Sequence, residues 1–200
     1  MGFFDDRPLP PPPPEPPRRR RPVWDRPEAA VGGVAPGEFL VARSDEAAVA
    51  VSGFRAFPNG FEMTLTVLLR RDDQWRHGRV FQQLHEGPEP GAPLPDEFLR
   101  FGVLFADGTS ATNLGGRHIA PDASVAPPML MQRGGGGGGR RFDLGYWVWP
   151  LPPPGPMTLV VEWPARGITE SRAEVDTQPI LEAASRAIQV FDEDEDEDAN

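Results

Sequence analysis

Five apolar residues in strict alternation, Phe61, Met63, Leu65, Val67 and Leu69, constrain this chain more than any other feature. They interleave with Glu62, Thr64, Thr66, Leu68 and Arg70, so a period of two sets a core face against a mostly solvent face, the pattern of a half-buried β-strand. Immediately upstream, Phe57-Pro58-Asn59-Gly60-Phe61 reads as a hairpin turn in which Pro58 pre-sets φ, Asn59 suits the bridge region and Gly60 takes positive φ as a bulge.

Other segments carry the same texture. Phe39-Leu40-Val41 and Ala47 to Phe57 are short runs rich in Val and Phe that read as strands. Asp107-Gly108 is a type I′ hairpin signal between Phe98 to Ala106 and Thr109 to Asn113, with Phe101, Val103 and Phe105 inward. Phe142 to Trp149 and Met157 to Trp163 are expected to form a third pair around the proline-rich connection 150–156, and Ile168 to Val175 a further strand. Across Pro179 to Phe191 the period changes to 3.6, with Ile180, Ala184, Ala187, Ile188 and Phe191 on one side. Asp176 or Thr177 caps its start, Pro179 fits the first turn, and Glu182 and Arg186 stand four apart for a surface pair.

Seven to nine short antiparallel strands and one short C-terminal helix, about 178–191, imply a mainly β chain. The expected fold is a two-layer antiparallel β-sandwich, jelly-roll-like or immunoglobulin-like. Residues 37–191 form its domain, long enough to bury about two-thirds of the unfolded surface. Residues 1–36, crowded with proline around Arg18 to Arg21, are expected to be a disordered tail of polyproline II character, in which Phe3, Phe4 and Trp24 are available to dock on the body or on a partner. Residues 192–200 are expected to be a second disordered tail, and its run from Asp192 to Asp198 supplies seven of the 30 acidic residues.

That run decides how the net charge of −10 is read. Without it, 23 acids face 20 arginines, so the body is nearly neutral and lacks the basic face of a general nucleic-acid binder. No stretch approaches the length of a membrane-spanning helix, and no apolar run follows the arginine quartet as an export signal requires, so a cytoplasmic setting is expected. The absence of cysteine excludes disulfides, thiolate metal sites and a cysteine nucleophile.

Candidate sites are few. Gly134 to Gly139, flanked by Arg133, Arg140 and Arg141, has the composition of an anion- or RNA-binding loop, but the strand, helix and Lys-Ser/Thr pair of a phosphate loop are missing, and a surface loop without regular structure is expected. His77, His85 and His118 fit no zinc spacing, so no metal and no cofactor is expected. Ser52 and Ser110 lack a nucleophile elbow, and Asp96 and Glu97 adjoin one another in a loop. The most informative segment is Phe142 to Trp149. Alternation puts Phe142, Leu144, Tyr146 and Val148 on one face and Asp143, Gly145, Trp147 and Trp149 on the other. If the first set is core, Trp147 and Trp149 stand on the outer face. There they are either covered by the C-terminal helix through Ile180, Ala184 and Ile188, or they form a surface for a sugar, a peptide or a partner.

The same region carries a resemblance. WVWPLPPPGP (147–156) with TLVVEWPARGI (158–168) resembles a stretch of an uncharacterised family of proteins from high-GC Gram-positive bacteria, over about residues 39–191. The resemblance implies a cytoplasmic bacterial setting and a sandwich fold; the family brings no assigned function and no site residues.

These readings lead to a non-enzymatic β-sandwich binding or scaffold protein with charged tails. Trp147, Trp149, Arg140 and Arg141 are its candidate binding residues, and Arg18, Arg19, Arg20 and Arg21 its candidate tail contacts. A protein partner or self-association is the leading expectation, with carbohydrate as another ligand class. The alternatives are a hydrolase acting on a sugar or ester, and weak nucleic-acid binding through the arginine clusters.

Overall fold

The computed structural model describes residues 21–71, 93–115 and 125–191. Within them the chain forms twelve strands, β1 (Ala30–Val31), β2 (Gly33–Ala35), β3 (Phe39–Arg43), β4 (Ala47–Phe57), β5 (Gly60–Leu69), β6 (Arg100–Leu104), β7 (Ser110–Thr112), β8 (Met129–Gly138), β9 (Arg141–Trp149), β10 (Pro156–Trp163), β11 (Ile168–Asp176) and β12 (Ile188–Gln189), with one α-helix, α1 (Gln178–Ser185). Six strands make one sheet in the order β2-β4-β5-β9-β8, with β3 beside β2 along β4; four make a second, β11-β10-β6-β7; β1 and β12 form a separate ribbon. Every pairing is antiparallel. The fold is the expected mainly β sandwich, with more strands than the seven to nine that the sequence implies.

One apolar cluster fills the space between the two layers. The alternating set Phe61, Met63, Leu65, Val67 and Leu69 enters it from β5, Phe142, Leu144, Tyr146 and Val148 from β9, and Phe101, Val103 and Phe105 from the opposite sheet, all buried. The rings of Phe101 and Tyr146, one from each layer, stand 5.2 Å apart. Each fully buried aliphatic or aromatic side chain here contributes about 1.5–3 kcal/mol.

A bulge in β4 decides what lies on the outside. Ser52 pairs with Thr64 and Arg55 with Glu62, so Gly53 and Phe54 together oppose one residue, with Gly53 at φ +67°. The extra residue reverses the phase of the strand: Val49 and Val51 face the core before it, Phe54 and Ala56 after it. Phe57 is thereby turned to the outer face of the six-stranded sheet, where it joins a second apolar cluster.

Several expectations are corrected. The glycine run is not an irregular loop: Gly134 to Gly138 belong to β8 and pair with Gly145 to Arg141 of β9. At Gly135 and Gly137 a side chain would meet Leu144 Cδ2 at 2.8 Å and Phe142 Cα at 2.7 Å respectively, while at Gly134, Gly136 and Gly138 nothing lies within 4 Å. β9 and β10 are not a hairpin pair. Both flanks of β9 are taken, by β5 and β8, and the connection after Trp149 carries the chain into the other layer, where β10 lies between β6 and β11. At the second hairpin only Gly108 has positive φ, +84°, and Asp107 does not, so the turn is not type I′; Asp107 Oδ1 instead accepts from the Thr109 amide and hydroxyl. Gly60 does not adopt positive φ either. It is required by close approach, since a Cβ there would lie 2.6 Å from the Trp147 ring.

The helix is shorter than its sequence period suggested. Ile180 and Ala183 enter the main core, the Asp176 carboxylate accepts from the Gln178 amide at 3.0 Å, and the Thr177 hydroxyl donates to Gly155 O at 2.7 Å. Glu182 accepts from Gln178, and Arg186 donates to Val34 O at 3.0 Å, so the expected Glu182–Arg186 pair is replaced. After Ser185 the chain turns into β12, because Ala30 and Val31 offer backbone partners to Gln189 and Ile188. The N-terminal boundary moves as well: residues 21–36, expected to be disordered, include β1, β2 and the buried Trp24. The expected tails 1–20 and 192–200 lie outside the described residues. Among the described residues no helix is long and apolar enough to cross a membrane.

Candidate functional site

The site is built on the outer face of the six-stranded sheet at the end bearing the β4–β5 turn. Register sets Met129 opposite Trp149 and Met131 opposite Trp147, so two methionines of β8 and two tryptophans of β9 share this face. Phe57 closes it from β4, its ring edge-on to Trp147 at 5.8 Å and 70°. The period-two assignment of Trp147 and Trp149 to the outer face holds, and that face is covered rather than open. Trp147 is 0% exposed, and Trp149 is half-buried against the same cluster.

Neither of the two expected outcomes accounts for this. The covering element is the N-terminal segment, which lays Trp24 over the face, while α1 packs into the main core instead. Trp147 Nε1 donates to Trp24 O at 2.8 Å, which removes the penalty of burying an indole N–H. The Asn59 side-chain amide, held at the hairpin turn, donates to Val23 O at 2.9 Å and to Asp25 O at 2.7 Å. A tight turn, Asp25 N to Pro22 O, shapes the segment.

Charged groups complete the arrangement. Arg133, the extra residue of a bulge in β8, pairs with Asp25 at 2.9 Å. Arg26 pairs with Glu62 at 2.6 Å and stands over the Phe57 ring at 5.8 Å. Arg21 pairs with Glu28 and, at 3.5 Å, with Asp25.

The other candidates are placed as follows. Arg141 pairs with Asp143 at 2.8 Å, and the Thr66 hydroxyl donates to the same carboxylate at 2.6 Å. The Arg141 hydrogen bond holds the Asp143 carboxyl below the usual carboxylate value, partly opposed by burial, and the Arg141 guanidinium is raised in return. Arg140 lies in the exposed β8–β9 turn and donates to Arg70 O at 3.4 Å. The arginines around the glycine run are therefore not gathered into one anion cradle: Arg133 is committed to the N-terminal segment and Arg141 to Asp143. Asp96 and Glu97 serve through their backbone carbonyls, which accept from Ala165 N and Trp163 Nε1. Ser52 lies within β4 and Ser110 opens β7. His77, His85, His118 and Arg18 to Arg20 lie outside the described residues, among which no group of three His, Cys, Asp or Glu could hold a metal ion.

Sequence reasoning missed Asn59 and Arg133 as contacts of the covering segment, because it assigned one to turn chemistry and the other to an anion loop. Trp24 carried a signal, as a bulky aromatic in an otherwise polar, proline-rich segment. No protein-family model matches this chain, and neither the curated proteins nor the solved structures include a significant match.

Proposed function

We propose that this chain is a non-enzymatic β-sandwich scaffold that associates with a second copy of itself through the β1–β12 ribbon, in a cytoplasmic setting. The observation that carries the reading is the outward face of that ribbon. Ala30 packs on the tryptophan cluster, so its neighbour Val31 points away from the body, directly opposite Ile188. Val31 is 53% and Ile188 63% exposed, and the chain continues through Val190 and Phe191, 51% and 72% exposed. Large apolar side chains exposed opposite one another, with two more following in sequence, favour an interaction surface.

Charge favours a second copy as the occupant. The ribbon joins the two ends of the folded body, Val190 N donating to Ala29 O at 2.7 Å. Arg18 to Arg21 precede it, and the acidic run Asp192 to Asp198 follows it. In an isologous dimer the basic stretch that precedes the ribbon in one copy is complementary in charge to the acidic run that follows it in the other. Such exposed pairs are screened by salt and add little each, so the apolar face provides the contact and the tails favour its formation.

Sedimentation equilibrium of the full chain tests this. The expected result is a reversible dimer that weakens at high salt, weakens on deletion of residues 192–200, and becomes monomeric with Val31→Glu/Ile188→Glu. A wild-type monomer at low salt, or a dimer indifferent to the ribbon substitutions, would overturn it.

A further inference from the structure

We infer that the outer face between the β4–β5 turn and β8 is a recognition site for a short polypeptide turn bearing an aromatic, an acidic and a basic residue in succession, and that Val23 to Arg26 occupy it in cis. The inference is independent of the ribbon contact, which involves the opposite side of β1.

The contacts are those of a bound peptide. Residues 21–29 belong to no strand, so the sheet does not hold them by a ladder. Three successive carbonyls are read by side chains instead: Val23 O and Asp25 O by the Asn59 amide, and Trp24 O by the Trp147 indole. Three successive side chains are then discriminated. The Trp24 ring enters an apolar cluster of Phe57, Met129, Met131 and Trp147, separate from the main core. The Asp25 carboxylate meets Arg133, and the Arg26 guanidinium meets Glu62 and the face of Phe57. The two ion pairs have opposite polarity, which fixes the direction in which a segment lies. Methionine-lined surfaces adapt to different rings, so a segment from a partner protein with this order of groups fits the same place.

The cis segment is an intramolecular competitor. Tethered this closely, it acts at an effective concentration in the millimolar range, and the site's apparent affinity for a partner falls by the fraction of molecules in which it is open. Weakening the cis segment should therefore reveal binding that the native chain suppresses.

The test uses full-length protein and a fluorescent synthetic peptide with the sequence of residues 20–29, followed by anisotropy. The Trp24→Ala protein is expected to bind the peptide at least about tenfold more tightly than the native chain. A peptide of the same composition in scrambled order should bind neither, and adding Arg133→Asp should transfer preference to a peptide in which the aspartate is replaced by arginine. If Trp24→Ala does not fold, Asp25→Lys/Arg26→Glu, which keeps the tryptophan, takes its place. A folded variant that binds the peptide no better than the native chain, or binds the scrambled peptide equally, overturns the inference.

Discussion

The indole of Trp147 and the main-chain carbonyl of Trp24, 123 residues apart in sequence, are joined by a buried hydrogen bond of 2.8 Å. It connects the N-terminal segment to the middle of the six-stranded sheet and makes Trp147 part of a second, smaller core. Trp147→Phe retains most of the packing but leaves a buried carbonyl without its donor, and is expected to lower stability by about 1–3 kcal/mol. Trp147→Ala also opens a cavity and should cost about 3–5 kcal/mol. Urea denaturation followed by circular dichroism measures both, and equal losses would show that the hydrogen bond and packing are not separable in this way.

The glycine strand makes a prediction of opposite signs at adjacent positions. A methyl group at Gly137 would collide with Arg141 O and stand 2.7 Å from Phe142 Cα, whereas at Gly136 it meets nothing within 4 Å. Gly137→Ala should destabilise by about 1–3 kcal/mol through overpacking. Gly136→Ala should be neutral or stabilise by about 0.4–1 kcal/mol, since alanine restricts the unfolded chain. Thermal melts of the two variants check this, and two neutral substitutions would restore the reading of an irregular loop.

Acid should weaken the fold partly through Asp143. The Arg141 hydrogen bond, with the Thr66 hydroxyl assisting, outweighs burial and holds the folded-state pKa of Asp143 below that of the unfolded chain. Its contribution is therefore complete above the unfolded value of about 3.9 and is lost as pH falls through the lower folded value. The two side chains are 60% and 39% exposed, so solvent screening limits the effect to about 1 kcal/mol at most. Stability curves from pH 6 to pH 2, about the span over which a depressed carboxylate titrates, should fall less steeply for Asp143→Asn than for the wild type. A steeper fall for Asp143→Asn would reverse the assigned direction.

Close approach behind the hairpin gives a fourth prediction. Gly60→Ala should destabilise the protein by about 1–3 kcal/mol, because a Cβ there collides with the Val148 carbonyl oxygen and intrudes on the Trp147 ring at 2.6 Å. An unchanged melting temperature would mean that β9 and its tryptophan do not seat against the turn.

Much of this architecture was legible wherever one residue's neighbours along the chain determine its face. The alternation of Phe61 to Leu69 and of Phe142 to Val148 assigned the core sides of β5 and β9 correctly, since a strand's period is local. Partner choice is not local, which is why the sequence suggests a β9–β10 pair although the two strands lie in different layers. The glycine run carries no hydrophobic pattern, so its strand conformation shows only in the register that Phe142 and Leu144 impose on it. The candidate site was half legible: the outward placement of Trp147 followed from periodicity, but its cover comes from Trp24, in a segment whose proline and arginine content resembles an unfolded tail. Ile188 and Phe191 fitted a helical period, and only the backbone partners offered by β1 draw the chain into a strand there instead.

The most direct test of the covered tryptophan face is hydrogen exchange at the Trp147 indole N–H, read by NMR in the native chain and in Trp24→Ala. Burial beneath Trp24 predicts a strongly protected indole proton in the native protein and a large loss of protection in the variant, while amides of β5 and β9 remain protected. A Trp147 indole that already exchanges at the rate of an exposed tryptophan in the native protein would contradict it.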